Sequence, residues 1–247
     1  MESHWTILLD FDGTVSEPVE LLQQYVEALT GQFRQNHGGD VEDWRAVTYD
    51  MLKTLTEEFQ DYFVSQPTAP YNSYMARLYA RSTEIVYASQ SLPLPEDAVG
   101  FARRTQKQAL QQCNATYPGV TEWLPYLLSQ GHTLHMASGQ ESGFLQGAMQ
   151  GASLEHLPTR WYGPDLIDCA KESPEYYRRI FQDLGVSPTN VVVLDDLPVA
   201  LLWAQELGAK TVQAHFDPNI SLTRVSGVSA VMTDWTQLPE ILATLVY

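Results

Sequence analysis

Hydrophobic positions along the chain follow two kinds of pattern. Short apolar runs occur near the start and again in the second half, and longer stretches with apolar residues at steps of three and four lie between them. The short runs predict buried strands, and the spaced positions predict amphipathic helices. Strands that alternate with helices indicate an α/β fold with a mostly parallel sheet and helices on both faces.

The predicted strands flank one long helical block. Strands are expected at residues 5–9, 132–137, around 160–162, 191–194, 210–214 and 228–232, and core helices at 120–130 and 174–184. Residues 17–115 contain no convincing strand and predict four helices, at about 17–31, 41–65, 71–89 and 95–113. We therefore predict an α/β core formed by residues 1–16 and 116–247, and an inserted all-helical cap domain formed by residues 17–115.

Composition supports a globular chain and restricts its partners. The 247 residues are 44% hydrophobic, and 14 Lys and Arg stand against 30 Asp and Glu, for a net charge of −16. This charge disfavours binding to nucleic acid or to an anionic membrane. An anionic substrate would need attraction from a metal or from a few placed cations. Four cations of the helical block, Arg45, Lys53, Arg77 and Arg81, are interpreted as belonging to solvated helix faces.

Cysteine, histidine and glycine usage adds three expectations. Cys113 and Cys169 show no pairing pattern, which favours reduced thiols and, with an N-terminus unlike a signal peptide, a cytoplasmic protein. The six histidines lack metal-ligand spacing, and three of them, His37, His132 and His135, are interpreted as structural or surface groups. Glycines recur at positions 143, 147 and 151, which on a helix makes one smooth stripe and predicts close packing.

Polar residues follow several of the predicted strands. The first strand stops at Asp10-Phe11-Asp12-Gly13-Thr14, a later one is followed by Ser138-Gly139, and another by Asp195-Asp196; Lys171 lies shortly before a helix. The carboxyl ends of parallel strands meet at one edge, so these groups are expected to converge. Carboxylates suit Mg²⁺, while Lys171 and the Ser138 hydroxyl could bind phosphoryl oxygens.

These four elements, in this order, resemble motifs I to IV of the haloacid dehalogenase-like (HAD) superfamily. The resemblance spans about residues 5–215, and it implies a Rossmann-like three-layer core. The helical insert directly after motif I is similar to the C1 cap of the phosphoglycolate phosphatase and β-phosphoglucomutase-like branch.

The resemblance implies roles for individual residues. Asp10 would be the nucleophile that forms an aspartyl-phosphate, and Asp12 the general acid and base. Phosphatases of the superfamily usually carry this second acid and haloacid dehalogenases do not, so a dehalogenase is not expected. The phosphoryl group would be held by Thr14, Ser138, Gly139 and Lys171, and Mg²⁺ by Asp10, Asp196 and the backbone carbonyl of Asp12.

Motif IV has the adjacent-Asp form. Ala200 stands where a second aspartate is commoner, and counting back from Leu207-Gly208 places Asp196 at the main ligand position. Asp195 would then ligate the metal through water or orient its neighbours.

The sequence thus predicts a Mg²⁺-dependent phosphatase that acts on a small phosphorylated metabolite. A phosphomutase would use the same residues, and a phosphate-compound-binding protein could keep the fold without turnover. A monomer or small homo-oligomer is expected. Helical pattern alone does not show which cap residues would face the substrate.

Overall fold

The computed structural model describes residues 4–245 and contains a six-stranded sheet flanked by helices. The strands lie in the order β3-β2-β1-β4-β5-β6, and every pairing among them is parallel. They are β1 (Thr6–Leu9), β2 (Thr133–Ala137), β3 (Arg160–Tyr162), β4 (Val191–Asp195), β5 (Lys210–Ala214) and β6 (Ala230–Met232). The predicted α/β class with a mostly parallel sheet is confirmed.

Ten α-helices accompany the sheet within residues 4–245. They are α1 (Pro18–His37), α2 (Val41–Ser65), α3 (Tyr71–Ser89), α4 (Ala98–Leu110), α5 (Val120–Ser129), α6 (Ser142–Gly151), α7 (Pro164–Ile167), α8 (Pro174–Leu184), α9 (Pro198–Glu206) and α10 (Leu238–Thr244).

The central strand β1 has apolar neighbours on both faces of the sheet. Ile7, Leu8 and Leu9 are completely buried. Ile7 and Leu9 belong to one apolar cluster and Leu8 to another, because successive side chains of a strand point to opposite faces. Helices supply the rest of both clusters, and the core therefore has three layers.

Four helices, α1 to α4, lie between β1 and α5, and residues 17–115 contain no strand. The predicted end of the first helix at residue 31 was too early, since α1 continues to His37. Phe33 extends the buried stripe of Val26 and Leu29, and burying its ring outweighs the helix penalty of Gly31, about 1 kcal/mol. The division into core and cap domains stays a prediction.

Helix α4 and the residues after it pack closely against α6. A Cβ at Gly151 would lie 2.0 Å from the carbonyl oxygen of Cys113, and one at Gly147 would lie 2.8 Å from that of Lys107. Gly143 has no atom within 4 Å of the corresponding position. The predicted close packing of the glycine stripe is thus confirmed for two of its members and wrong for Gly143.

The remaining structural expectations concern cysteines, histidines and hydrophobic helices. Cys113 and Cys169 are free and buried. His132 Nδ1 accepts a hydrogen bond from the N–H of Trp5. His135 is buried, and its burial and the nearby charge of Arg160 lower its pKa to about 4. None of the helices within residues 4–245 combines the length and the apolar character that crossing a membrane would require.

Candidate active site

Three parallel strands bring predicted site residues to one edge of the sheet. Strand β1 ends immediately before Asp10, β2 ends before Ser138, and β4 ends at Asp195. The N–H of Asp10 donates a hydrogen bond to the carbonyl oxygen of Leu194 over 2.9 Å, so the chain beyond β1 remains beside β4. The site therefore lies where an open α/β sheet commonly binds ligands.

Lys171 links the ends of β1 and β4. Its Nζ lies 2.7 Å from Asp10 Oδ1 and 2.6 Å from Asp195 Oδ2, and the three side chains are buried. Burial alone would lower the pKa of Lys171, but the two carboxylates outweigh burial and raise its pKa above the ordinary value. Lys171 is therefore charged at neutral pH.

The carboxylate of Asp195 is fully engaged by donors. Besides Lys171, the Tyr177 hydroxyl donates to Oδ2 over 2.8 Å and the Leu197 N–H donates to Oδ1 over 3.0 Å. Each further ligand would have to compete with these three contacts. This geometry supports the interpretation in which Asp195 orients its neighbours, chiefly Lys171.

Asp196 turns its carboxylate toward Gly13. Gly13 has a φ of +75°, and a Cβ built on it would lie 2.2 Å from Asp196 Oδ2. Both facts require glycine at this position. Although much of the Asp196 residue is accessible to solvent, the burial of its carboxylate and the nearby charge of Asp195 raise its pKa to about 6.

Asp10, Asp195 and Asp196 form an acidic cluster whose carboxylate oxygens lie within 4.8 Å of one another. Burial raises the pKa of Asp10 well above its ordinary value; Lys171 opposes this shift, and the other two aspartates add to it. A divalent cation would relieve the repulsion among these groups. Hard oxygen donors at this spacing fit such a cation, and Asp10 and Asp196 have fewer competing donors than Asp195.

Asp12 is held by a residue of the loop after β2. Gln140 Nε2 donates a hydrogen bond to Asp12 Oδ2 over 2.8 Å. Burial raises the pKa of Asp12, while this hydrogen bond and Lys171 oppose the shift. A carboxyl group with a raised pKa keeps a larger protonated fraction near neutral pH, as a general acid requires.

The predicted phosphoryl-binding residues differ in their surroundings. Thr14 is completely buried and its Oγ1 has no hydrogen-bond partner within residues 4–245. The Ser138 hydroxyl accepts only a long hydrogen bond, 3.4 Å, from the Gln140 N–H. Gly139 is exposed and lies beside Lys171. Both hydroxyls are thus buried and lack a strong internal hydrogen bond.

A cavity of about 310 Å³ lies between this edge and the inserted helices. The core contributes Gly139, Gln140, Glu141 and Glu172 to its wall, and α2, α3 and α4 contribute the other side. Gln140 also donates a hydrogen bond to Asp12, and Glu172 directly follows Lys171, so two residues of the cavity wall adjoin predicted catalytic residues.

A family model described as haloacid dehalogenase-like hydrolase matches residues 6–208, most of the chain. The chain belongs to this family. All eight site residues predicted from the sequence fall within the matched region, and the resemblance to the HAD superfamily is confirmed.

Relatives of this HAD-family chain include a phosphatase and dehalogenases. The probable phosphatase IndB of Dickeya dadantii is 22% identical over 207 residues, 83% of this chain and 79% of that protein. The defluorinating L-2-haloacid dehalogenase Rha0230 superposes with a TM-score of 0.69 at 18% identity, over 97% of this chain and 95% of the other. A predicted phosphoglycolate phosphatase from Haemophilus somnus 129PT gives a TM-score of 0.56 at 18% identity, over 98% of this chain and 99% of that protein. At these identities the two structures support the HAD fold alone.

Sequence reasoning missed three polar residues near this HAD-family site. Gln140 contacts Asp12, Tyr177 contacts Asp195, and Glu172 lines the cavity. Gln140 and Glu172 each lie within two residues of a predicted site residue, so proximity in the sequence was a usable signal. Tyr177 lies inside α8, where its apolar neighbours make it indistinguishable from a core aromatic.

Proposed function

We propose that this HAD-family hydrolase is a divalent-metal-dependent phosphatase, with Mg²⁺ as the metal, acting on a small phosphomonoester. The observation that carries the proposal is the second acid, Asp12, whose pKa is raised by burial and whose carboxylate is positioned by Gln140. Dehalogenases of the superfamily usually lack this acid. The similarity to a probable phosphatase supports the same conclusion.

The first proposed step transfers the phosphoryl group to Asp10. A carboxylate oxygen of Asp10 attacks phosphorus while the bond from phosphorus to the ester oxygen breaks. Asp12 gives its proton to that oxygen, so the leaving group departs as an alcohol. Lys171 holds Asp10 in place, and Thr14, Ser138 and Gly139 would donate to the phosphoryl oxygens.

The second proposed step releases phosphate. Asp12, now a carboxylate, removes a proton from a water molecule that attacks the phosphorus atom. The bond from phosphorus to the Asp10 oxygen breaks, and the nucleophile is regenerated. Closure of the inserted helices over the cavity would exclude bulk water before the first step.

A bound Mg²⁺ would supply positive charge to the phosphoryl oxygens and offset the negative charge of the acidic cluster. Its protein ligands would be Asp10 and Asp196 together with the backbone carbonyl of Asp12. The N–H groups of residues 14, 15 and 16 all donate to the carbonyl of Phe11. The neighbouring carbonyl of Asp12 lies outside this set of bonds, which suits a ligand. Asp195 would act by positioning Lys171.

The decisive experiment compares the wild type with Asp10→Asn on a panel of phosphomonoesters, with Mg²⁺ and with EDTA. We expect Mg²⁺-dependent phosphate release and a hydroxylamine-sensitive phosphoryl adduct in the wild type. Asp10→Asn should show neither, while it unfolds cooperatively.

Three other results would contradict the proposal. Halide release from 2-chloropropionate without phosphate release would make the protein a dehalogenase. Isomerisation of a sugar phosphate without net phosphate release would make it a mutase. Binding of phosphate compounds, with no phosphate released from any member of the panel, would make it a binding protein.

A further inference from the structure

The cavity beside Asp12 has an apolar wall. Seven of its lining side chains are hydrophobic or aromatic and come from α2 and α3: Leu52, Leu55, Phe59, Tyr71, Met75, Leu78 and Tyr79. A phosphoryl group bound at Asp10 would place the rest of its ester in this cavity, since Gln140 contacts both Asp12 and the cavity. Apolar walls favour an alcohol portion that is itself largely apolar.

The cavity also extends toward the interior of the four-helix insert. A second cavity, of about 50 Å³, lies between α1, α2, α3 and α4. The two cavities share four lining residues: Leu52, Leu55, Tyr79 and Gln106. These four side chains separate the cavity beside Asp12 from the space inside the bundle.

The charges on the wall are negative. Glu141 and Glu172 line the cavity, and no lysine or arginine is among its lining residues within the described chain. Arg103 is close by, but its guanidinium makes two hydrogen bonds to Glu141, at 3.0 and 3.1 Å, and lies over the Tyr79 ring. Arg103 and Glu141 thus neutralise each other, and neither is free for a ligand.

Glu172 is the carboxylate that remains. It is half-buried, and no hydrogen bond or ion pair engages it within residues 4–245. The adjacent Lys171 makes its ion pairs with Asp10 and Asp195, and its charge only partly opposes the rise that burial causes in the pKa of Glu172. Glu172 therefore presents a carboxylate without a directly paired cation to the part of the ester beyond the phosphoryl group.

Building on the proposed phosphatase function, we propose that the preferred substrate is the phosphate ester of an uncharged, largely apolar alcohol. In this proposal Glu172 is a specificity-determining residue that disfavours esters with a second anionic group. A carboxylate or second phosphate in the cavity would meet a like charge and no free cation. Placing a repulsive group against the wrong ligand is a recognised way to obtain selectivity.

The test uses two esters of matched shape, butyl phosphate and 4-phosphooxybutanoate, whose main difference is the terminal carboxylate. We expect the wild type to show a kcat/KM for butyl phosphate that is higher by about tenfold or more, because like charges brought together in a binding site are strongly disfavoured. Glu172→Gln should reduce this preference severalfold. Glu206→Gln, which removes the same charge from an exposed position on α9, should leave the ratio unchanged.

Ionic strength separates a charge effect from a change of shape. In the wild type the preference for butyl phosphate should shrink as salt rises, since salt screens charges in partly exposed sites. In Glu172→Gln the ratio should respond less to salt. Equal or better turnover of 4-phosphooxybutanoate by the wild type would overturn the proposal, and so would an unchanged ratio in Glu172→Gln.

The two proposals fail in different ways. If no phosphomonoester of a broad panel releases phosphate, the phosphatase function itself is wrong. If phosphate is released, but from esters with a second anionic group in preference to neutral ones, the phosphatase stands and the substrate class is wrong.

Discussion

The side-chain amide of Gln140 holds the carboxylate of Asp12 at a hydrogen-bond distance of 2.8 Å. Gln140 belongs to the loop after β2, and Asp12 to the loop after β1. The proposed general acid is thus positioned by a neighbouring strand end, and its donor also lines the cavity. A substrate that enters this cavity meets the acid and its positioning residue together.

Gln140→Ala should slow turnover and shift its pH dependence. The amide opposes the rise of the Asp12 pKa, so its removal raises that pKa further. Asp12 then stays protonated to higher pH, so the pH at which kcat/KM declines on the alkaline side should increase. We expect kcat to fall by about tenfold, because a mispositioned acid loses part of its contribution. Gln108→Ala, at an exposed position on α4, should change neither quantity.

Asp196→Asn should stabilise the metal-free protein at neutral pH. The folded-state pKa of Asp196, about 6, lies above its ordinary value of 3.8. Between these values the folded state holds a proton that the unfolded state has lost, so stability falls as pH rises. Asparagine does not ionise, so the stability of the variant does not fall with pH for this reason. Urea unfolding in EDTA should show it about 1 kcal/mol more stable than wild type above pH 6, after allowance for solvent screening, and equal near pH 4.

The effect of Mg²⁺ on the melting temperature tests whether Asp196 is a metal ligand. A ligand that binds only the folded state raises its stability. Millimolar Mg²⁺ should therefore raise the melting temperature of the wild type and have a smaller effect on Asp196→Asn. An equal effect on both proteins would remove Asp196 from the proposed metal ligands. This measurement does not depend on turnover of a substrate.

The strand-end chemistry was visible in the sequence because its signals are local. Apolar runs that end in Asp10-Phe11-Asp12 and in Asp195-Asp196 define both the strand and the residues that follow it. Sheet order was not visible in the same way, but the rule that ligands bind at the carboxyl edge of a parallel sheet made convergence predictable.

The different roles of Asp195 and Asp196 were not accessible from the sequence. Both are acidic, adjacent and placed at the end of one strand. The spacing to Leu207-Gly208 assigns the main ligand position to Asp196, but it does not show which side chains contact either aspartate. Their surroundings come from distant residues: Tyr177 in α8 and Lys171 engage Asp195, while Gly13 faces Asp196. Such contacts depend on tertiary packing, about which periodicity carries no information.

Lys171→Met should destabilise the fold as well as abolish activity. The substitution leaves Asp10 and Asp195 buried without a compensating charge, and breaking a buried pair in this way costs about 3–5 kcal/mol. The loss should diminish at low pH, where the carboxyl groups take up protons. Urea unfolding at pH 7 and pH 4.5 measures both effects. Lys53→Met, at an exposed position on α2, should change stability by less than about 0.5 kcal/mol.

Gly151→Ala and Gly143→Ala form a matched pair on α6 with opposite expected effects. At Gly151 the new methyl would lie 2.0 Å from the Cys113 carbonyl oxygen and 2.8 Å from that of Leu110, so α4 must move. We expect a loss of about 3 kcal/mol from overpacking. Gly143 has open space and no positive φ, so alanine should gain up to about 1 kcal/mol through helix propensity.

Gly151→Ala and Gly143→Ala should also differ in their effect on KM. Helix α4 carries Arg103, which neutralises Glu141 at the cavity wall. Displacing α4 in Gly151→Ala should weaken that pairing and raise KM more than it lowers kcat, whereas Gly143→Ala should leave both unchanged. Equal stability and equal KM in the two variants would show that the contact between α4 and α6 is looser than the glycine geometry indicates.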